Sequence, residues 1–204
     1  MIGGSDRPAN ILMVGVGGQG TILASELMSR VLLEAGYEVK KSEVHGMAQR
    51  GGRVVSHVRF GEKVYSPLIA KGEADILVGF EMAETLRSLD WMIHGARVLA
   101  DNRAILSYTS QVGQEPYPFD ALDRIRSAGF QLDVVEGEAL AAKAGEKKTA
   151  NVVLMGLLAR YLPVQREVWE ETIRRNMPAK FVDVNLKAFS LGWEQISPEA
   201  ILLR

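Results

Sequence analysis

Gly15, Gly17 and Gly20 stand at G-x-G-x-x-G spacing, directly after the apolar run ILMV at 11–14 and before a helical pattern. In that context the first glycine permits a tight turn, the second lets a ligand approach the backbone, and the third lets helix and strand pack closely. The helix that follows offers free N–H groups and partial positive charge to an anion. With Gly18 and Gln19 between them, these residues form a candidate anion-binding or contact loop. A dinucleotide site also needs an acid about 20 residues on to hold ribose hydroxyls. The second strand instead ends on Lys40-Lys41, with Glu43 just beyond it. The plain alternative is a tight strand–helix junction against another subunit. No G-K-[ST] follows, so the turn is not a P-loop.

A second glycine-bearing stretch, EVHGMAQRGG at 43–52, has no clear period and reads as an ordered loop. Gly46, Gly51 and Gly52 allow close approach of another backbone or a ligand. Among them stand Glu43, His45, Gln49 and Arg50. Arg50 and the adjacent Arg53 can pair with phosphates or carboxylates, and His45 can act as base or donor. Against this stands a rigid loop at a subunit contact. His57 and His94 are isolated and lack metal-spaced partners, so structural roles are expected. No Ser/His/Asp set is legible and the acids are dispersed, which leaves the catalytic residues unassigned. No metal site is expected. The chain has no cysteine, which excludes Cys-ligated clusters, Cys zinc sites and a Cys nucleophile within it.

The elements that must position these loops alternate. Strands are expected at 11–14, 37–41, 54–60, 75–80, 97–100 and 130–135. Helices are expected after the glycine turn, where Gly36 ends the first, then at 82–90, 120–128, 137–145, 149–161, 165–176 and 183–192. Residues 54–60 alternate in polarity, and Gly61-Glu62 separates them from 63–65, the pattern of a hairpin. Residues 107–119 read as a loop, and His94 as lying at a helix end. Strand–helix alternation argues for a mostly parallel sheet covered on both faces. The expected fold is therefore α/β: a three-layer, Rossmann-like domain with a mixed, mostly parallel sheet and an antiparallel hairpin insert. One domain is expected over 1–204. The 47% hydrophobic content supports a buried core, and a net charge of −1 gives no general attraction to nucleic acid or an acidic membrane. The polar start and the lack of any apolar run near the roughly 20 residues a bilayer requires point to a cytoplasmic protein.

Taken together, ILMVGVGGQG at 11–20, KKSEVHGMAQRGGRVVSHVRFG at 40–61, SPLI at 66–69, ADILVGFE at 74–81, Asn151 and FVDVNLKAFSLGW at 181–193 resemble the small, γ-type subunit of the 2-oxoacid:ferredoxin oxidoreductases. Within that family they are most similar to the small subunit of the indolepyruvate-type enzymes. The resemblance covers nearly the whole chain. It implies a non-redox subunit of a complex that decarboxylates an aryl 2-oxoacid, passes the acyl group to coenzyme A and delivers electrons to ferredoxin. It places thiamine diphosphate and iron–sulfur clusters in a large partner subunit, and coenzyme A as a shared substrate beside the two glycine loops. Three readings compete: such a subunit, a purely structural assembly partner (for this or another 2-oxoacid), and a free-standing NAD(P)-dependent protein. Homodimer contacts stay open.

Overall fold

The computed structural model describes residues 7–45, 52–106 and 116–196. Their order is β1 (Ala9–Val16), α1 (Thr21–Glu34), β2 (Glu38–His45), β3 (Arg53–Gly61), β4 (Ala74–Gly79), α2 (Met82–Arg87), β5 (Met92–Asp101), α3 (Ala121–Ser127), β6 (Gln131–Val135), α4 (Gly137–Ala144), α5 (Ala150–Ala159), α6 (Arg166–Asn176) and α7 (Val182–Trp193). The strands form one sheet in the order β2-β3-β1-β4-β5-β6. The pairs β1–β4, β4–β5 and β5–β6 are parallel, whereas β3 runs antiparallel to both β1 and β2.

Every residue of β1 is buried, as a central strand covered on both faces requires. Its side chains alternate between two cores. Ile11 and Met13 join Val58, Phe60, Ile76, Val78 and Leu99 beneath α1, α4, α5, α6 and α7. Leu12 and Val14 join Val55, Leu77, Val98 and Ala100 beneath α2, α3 and the segment around Ile69. The three-layer, mixed α/β expectation therefore holds.

The hairpin takes a different form from the one expected. β3 does not pair with 63–65; it pairs with β2, from Glu38↔Gly61 to His45↔Val54, and with β1, from Ala9↔Phe60 to Val16↔Arg53. With both edges of β3 taken, no edge is left for 63–65 to join. Side chains hold the following segment instead: Arg59 Nη1 donates to the carbonyls of Ser66 (3.1 Å) and Leu68 (3.0 Å). β2 also runs on to His45, so Glu43, Val44 and His45 belong to a strand and not to a loop. His94 lies exposed within β5 rather than at a helix end. The helix expected at 82–90 ends at Arg87, and a 3₁₀ turn covers Leu89–Trp91.

All ten residues of α5 are buried, as expected for a helix with no polar face. It lies between the sheet and α7, and two glycines set the spacing. A Cβ on Gly156 would lie 2.0 Å from the Phe189 carbonyl oxygen, and one on Gly192 would lie 1.9 Å from that of Val153. Backbone meets backbone there, so neither helix can yield by turning a side chain. Gly156→Ala should lower stability by about 3 kcal/mol or more, beyond the usual overpacking cost because main chain must move. A urea midpoint equal to that of the parent chain would refute this close contact.

His57 is buried, and its Nδ1 accepts the Ile69 N–H at 3.2 Å. Its ring meets Trp91 edge-on with centroids 5.1 Å apart. Burial lowers its pKa below the ordinary 6.5. As pH falls, the unfolded chain takes up this proton first, so the contribution of neutral His57 is present above pH 6.5 and is lost below it. Denaturant titrations at about pH 7.5 and about pH 5.5 should show a weaker fold at the lower value. In His57→Gln that part of the loss should vanish; an unchanged pH dependence would place the acid sensitivity elsewhere.

Candidate functional site

The carboxyl ends of β1, β4, β5 and β6 share one edge of the sheet with the start of β3. Both glycine stretches meet there. The Gly17 N–H donates to the Gly52 carbonyl at 2.9 Å, so the loops proposed from sequence are joined by a backbone bond. Within the first turn Gly18 (φ +100°) and Gly20 (φ +78°) take left-handed conformations, which a side chain would strain.

Gln19 folds back into the turn. Its Oε1 accepts the Val16 N–H at 2.7 Å, and its Nε2 donates to the Phe80 carbonyl just beyond β4. A Cβ at Gly15 would lie 2.8 Å from that Oε1, so the glycine makes room for the amide. Here the chain leaves β1 for one face of the sheet and β4 for the other, which is where open α/β sheets commonly bind ligands. In this protein the Gln19 side chain fills the crevice. Asn151, at the start of α5, supports the turn from below: its Nδ2 donates to the Gly20 carbonyl at 3.2 Å. The amides of Val16 and Gly17 are thus spent inside the protein rather than held out to a pyrophosphate. The first turn of α1 has neither an acidic residue nor a side-chain cap, and it presents Ile22 and the 65% exposed Leu23 to the outside.

The charged candidates are engaged as well. Glu43 Oε1 lies 2.9 Å from Lys41 Nζ, which also contacts Glu26 of α1 at 2.8 Å. This network ties β2 to α1 and neutralises a lysine in the middle of the strand. Arg53 Nε lies 3.1 Å from Glu84 Oε2, and its Nη2 donates to Ser88 Oγ at 2.9 Å. Arg87 holds the other oxygen of Glu84 at 2.6 Å. Of the second stretch, the backbone at 43–45 and Gly52 are described. Gly46, Gln49, Arg50 and Gly51 lie outside the described residues, as does the side chain of His45.

Glu81 was not singled out as a site residue from sequence. It follows β4, is 1% exposed, and caps α2 by accepting the Glu84 N–H at 2.8 Å. It also accepts the Ile105 N–H at 3.2 Å and the Tyr117 hydroxyl. Burial, then the bond to Glu81, push the Tyr117 phenol well above its usual pKa. The signal for its role was an acid three residues before Glu84 at a helix start, a spacing that suits capping. Around this edge Val44, Leu106 and Phe119 join Ile22 and Leu23 as exposed large apolar residues. Among the described residues no group of three His, Cys, Asp or Glu side chains could hold a metal ion, and no helix is long and apolar enough to cross a membrane.

Residues 10–195 match the family described as pyruvate ferredoxin/flavodoxin oxidoreductase, and the chain belongs to that family. Among its relatives, the indolepyruvate oxidoreductase subunit IorB of Thermococcus kodakarensis is 40% identical over 188 residues, 90% of this chain and 93% of that one. The pyruvate oxidoreductase subunit PORC of Thermotoga maritima has the same fold, with a TM-score of 0.71 at 21% identity over 94% of this chain and 98% of that one. The 2-oxoglutarate:ferredoxin oxidoreductase of Magnetococcus marinus, with 2-oxoglutarate, coenzyme A and succinyl-CoA bound, gives a TM-score of 0.73 at 18% identity. That match takes in 98% of this chain and 32% of the other.

Gln19→Ala would leave the Val16 N–H and the Phe80 carbonyl without their partner, at a cost of about 1–3 kcal/mol. Thermal melts should report the loss, and titrating the parent chain with NADH should give no saturable heat. Saturable heat would restore the turn as a nucleotide cradle.

Proposed function

We propose that this chain is the non-redox subunit of an indolepyruvate:ferredoxin oxidoreductase, docked by the carboxyl edge of its sheet onto a larger subunit. The observation that carries the activity is the 40% identity to IorB along nearly the full length of both chains. Supporting the docking face are five exposed apolar residues, Ile22, Leu23, Val44, Leu106 and Phe119, set around a turn in which the Val16, Gly17 and Gln19 amides are satisfied from within. A surface of that kind gains from burial against a partner.

The chain has no cysteine to ligate an iron–sulfur cluster, so the clusters, with thiamine diphosphate and the contact to ferredoxin, belong in this reading to the larger subunit. Thiamine chemistry needs a site closed to water, and this subunit contributes a wall to it. Gly15, Gly17, Gly18, Gln19 and Gly20, with Glu43, His45, Gly46, Gln49, Arg50, Gly51 and Gly52, border that wall and the path of coenzyme A. Arg53 is committed to Glu84, which leaves Arg50 as the cation for coenzyme A phosphates. The same reading takes residues 1–204 as one domain of a cytoplasmic complex.

Co-expression with the large subunit, followed by viologen reduction with indolepyruvate and coenzyme A, tests the proposal. The parent pair should co-purify and turn over. Leu23→Glu combined with Phe119→Glu should cut co-purification at least about tenfold, as expected when charge enters the centre of an interface. A double variant that co-purifies like the parent would remove the carboxyl edge as the docking face. A co-purified pair that turns over pyruvate or 2-oxoglutarate but not indolepyruvate would reassign the substrate.

A further inference from the structure

The sheet has a second place where its connections part. After β5 the chain crosses to α3, whose Ile125 lies in the core beneath α2 and α3. After β6 it crosses to α4, whose Leu140, Ala141 and Ala144 lie in the opposite core. Diverging connections open a crevice beyond the carboxyl ends of the two strands. At the β1/β4 crevice Gln19 fills the space; at β5/β6 the space is a cavity of about 340 Å³, within the usual range for small-ligand pockets. Its lining comes from Asp101, Asn102 and Arg103 at the end of β5, and from Glu136, Glu138 and Lys147 after β6.

Asp101 is the last residue of β5 and is 3% exposed. One carboxyl oxygen accepts the Gly137 N–H at 2.8 Å. A Cβ on residue 137 would lie 2.7 Å from the other, so glycine there is what admits the carboxyl group. That other oxygen has no donor among the described residues. Capping α4 needs only the first oxygen, and it explains neither the cavity nor the second.

The groups around Asp101 determine what it can take. Asn102 donates to Glu136 at 2.6 Å. Lys147 lies 3.4 Å from Glu138. Arg103 is the remaining cation. Three carboxylates against two cations leave the lining one positive charge short, and no metal cluster is formed among the described residues. We propose that the β5/β6 crevice is a binding site for a small molecule bearing a protonated primary amine, with the ammonium donating to Asp101 and the carbon chain lying along Ala139 and Ala142 of α4. Geometry carries this site independently of the subunit reading above.

Burial raises the Asp101 pKa to about 6, opposed by the Gly137 bond and Arg103 and reinforced by Glu136 and Glu138. At neutral pH the group is therefore an anion. Below pH 6 it is neutral, and a bound ammonium loses its charge partner.

The test uses the full chain and n-butylammonium chloride as the probe, followed by amide chemical shifts. At about pH 7.5 the Asn102 and Gly137 resonances should move saturably, and the affinity should fall about tenfold per pH unit below the Asp101 pKa. Asp101→Asn keeps an acceptor for Gly137 and should weaken binding at least about tenfold. Ala139→Leu leaves the carboxyl group in place but fills the cavity; it should do the same, and it decides the matter if Asp101→Asn does not fold. Any of three results would overturn the site: no saturable shift, equal shifts with sodium chloride or butyrate, or unchanged affinity in the folded variants.

Discussion

The strand Arg53–Gly61 has β1 on one side and β2 on the other, so both rows of its backbone groups are used within the sheet. Much of the carboxyl edge depends on that placement. β2, which would pair with β1 in a plain β-α-β series, is displaced to the outer edge. The carbonyl of Gly52, just before β3, comes within reach of Gly17. Arg53, the first residue of β3, is delivered to Glu84. The segment after Gly61 finds no strand edge and is held by Arg59 and His57 side chains. A single antiparallel strand thus places Gly52 against the glycine turn and Arg53 against the start of α2.

Closure by polar side chains recurs along this edge. Gln19 spans β1 and β4, Glu81 ties the start of α2 to Ile105 and Tyr117, and Asp101 reaches the start of α4. All but the Tyr117 bond satisfy a backbone group, and leaving such a group buried and unpaired costs more than the bond itself contributes. The edge is therefore rigid from within, as suits a surface that must present its apolar residues in a fixed arrangement to a partner.

Much of this was legible in the amino-acid sequence. The run ILMV at 11–14 marks a strand buried on both faces, and the glycines that follow mark the turn. The alternation in VVSHVRF identifies β3 as a strand. Its partner was not legible, because alternation defines the faces of a strand and says nothing about which edges are occupied. Gly61-Glu62 is a short-range turn signal, whereas the true pairing with β2 spans the stretch from His45 to Arg53. The two glycine stretches were recognisable, but not the bond between Gly17 and Gly52, since backbone hydrogen bonds between distant segments leave no mark on residue type. Glu81 was missed for a related reason: a single buried acid is indistinguishable in sequence from a solvated one until its three donors are in place.

The packing of α5 against α7 has a consequence for synthesis. α5 is apolar on every side, and its outer surface is covered only when Gly192 settles against Val153 and Gly156 against Phe189. Those contacts come from α7, the last helix among the described residues. Until residue 193 has left the ribosome, the α7-facing side of α5 has no cover, the kind of surface that chaperones bind and that drives aggregation. The twelve residues of α7 act as the seal of this core.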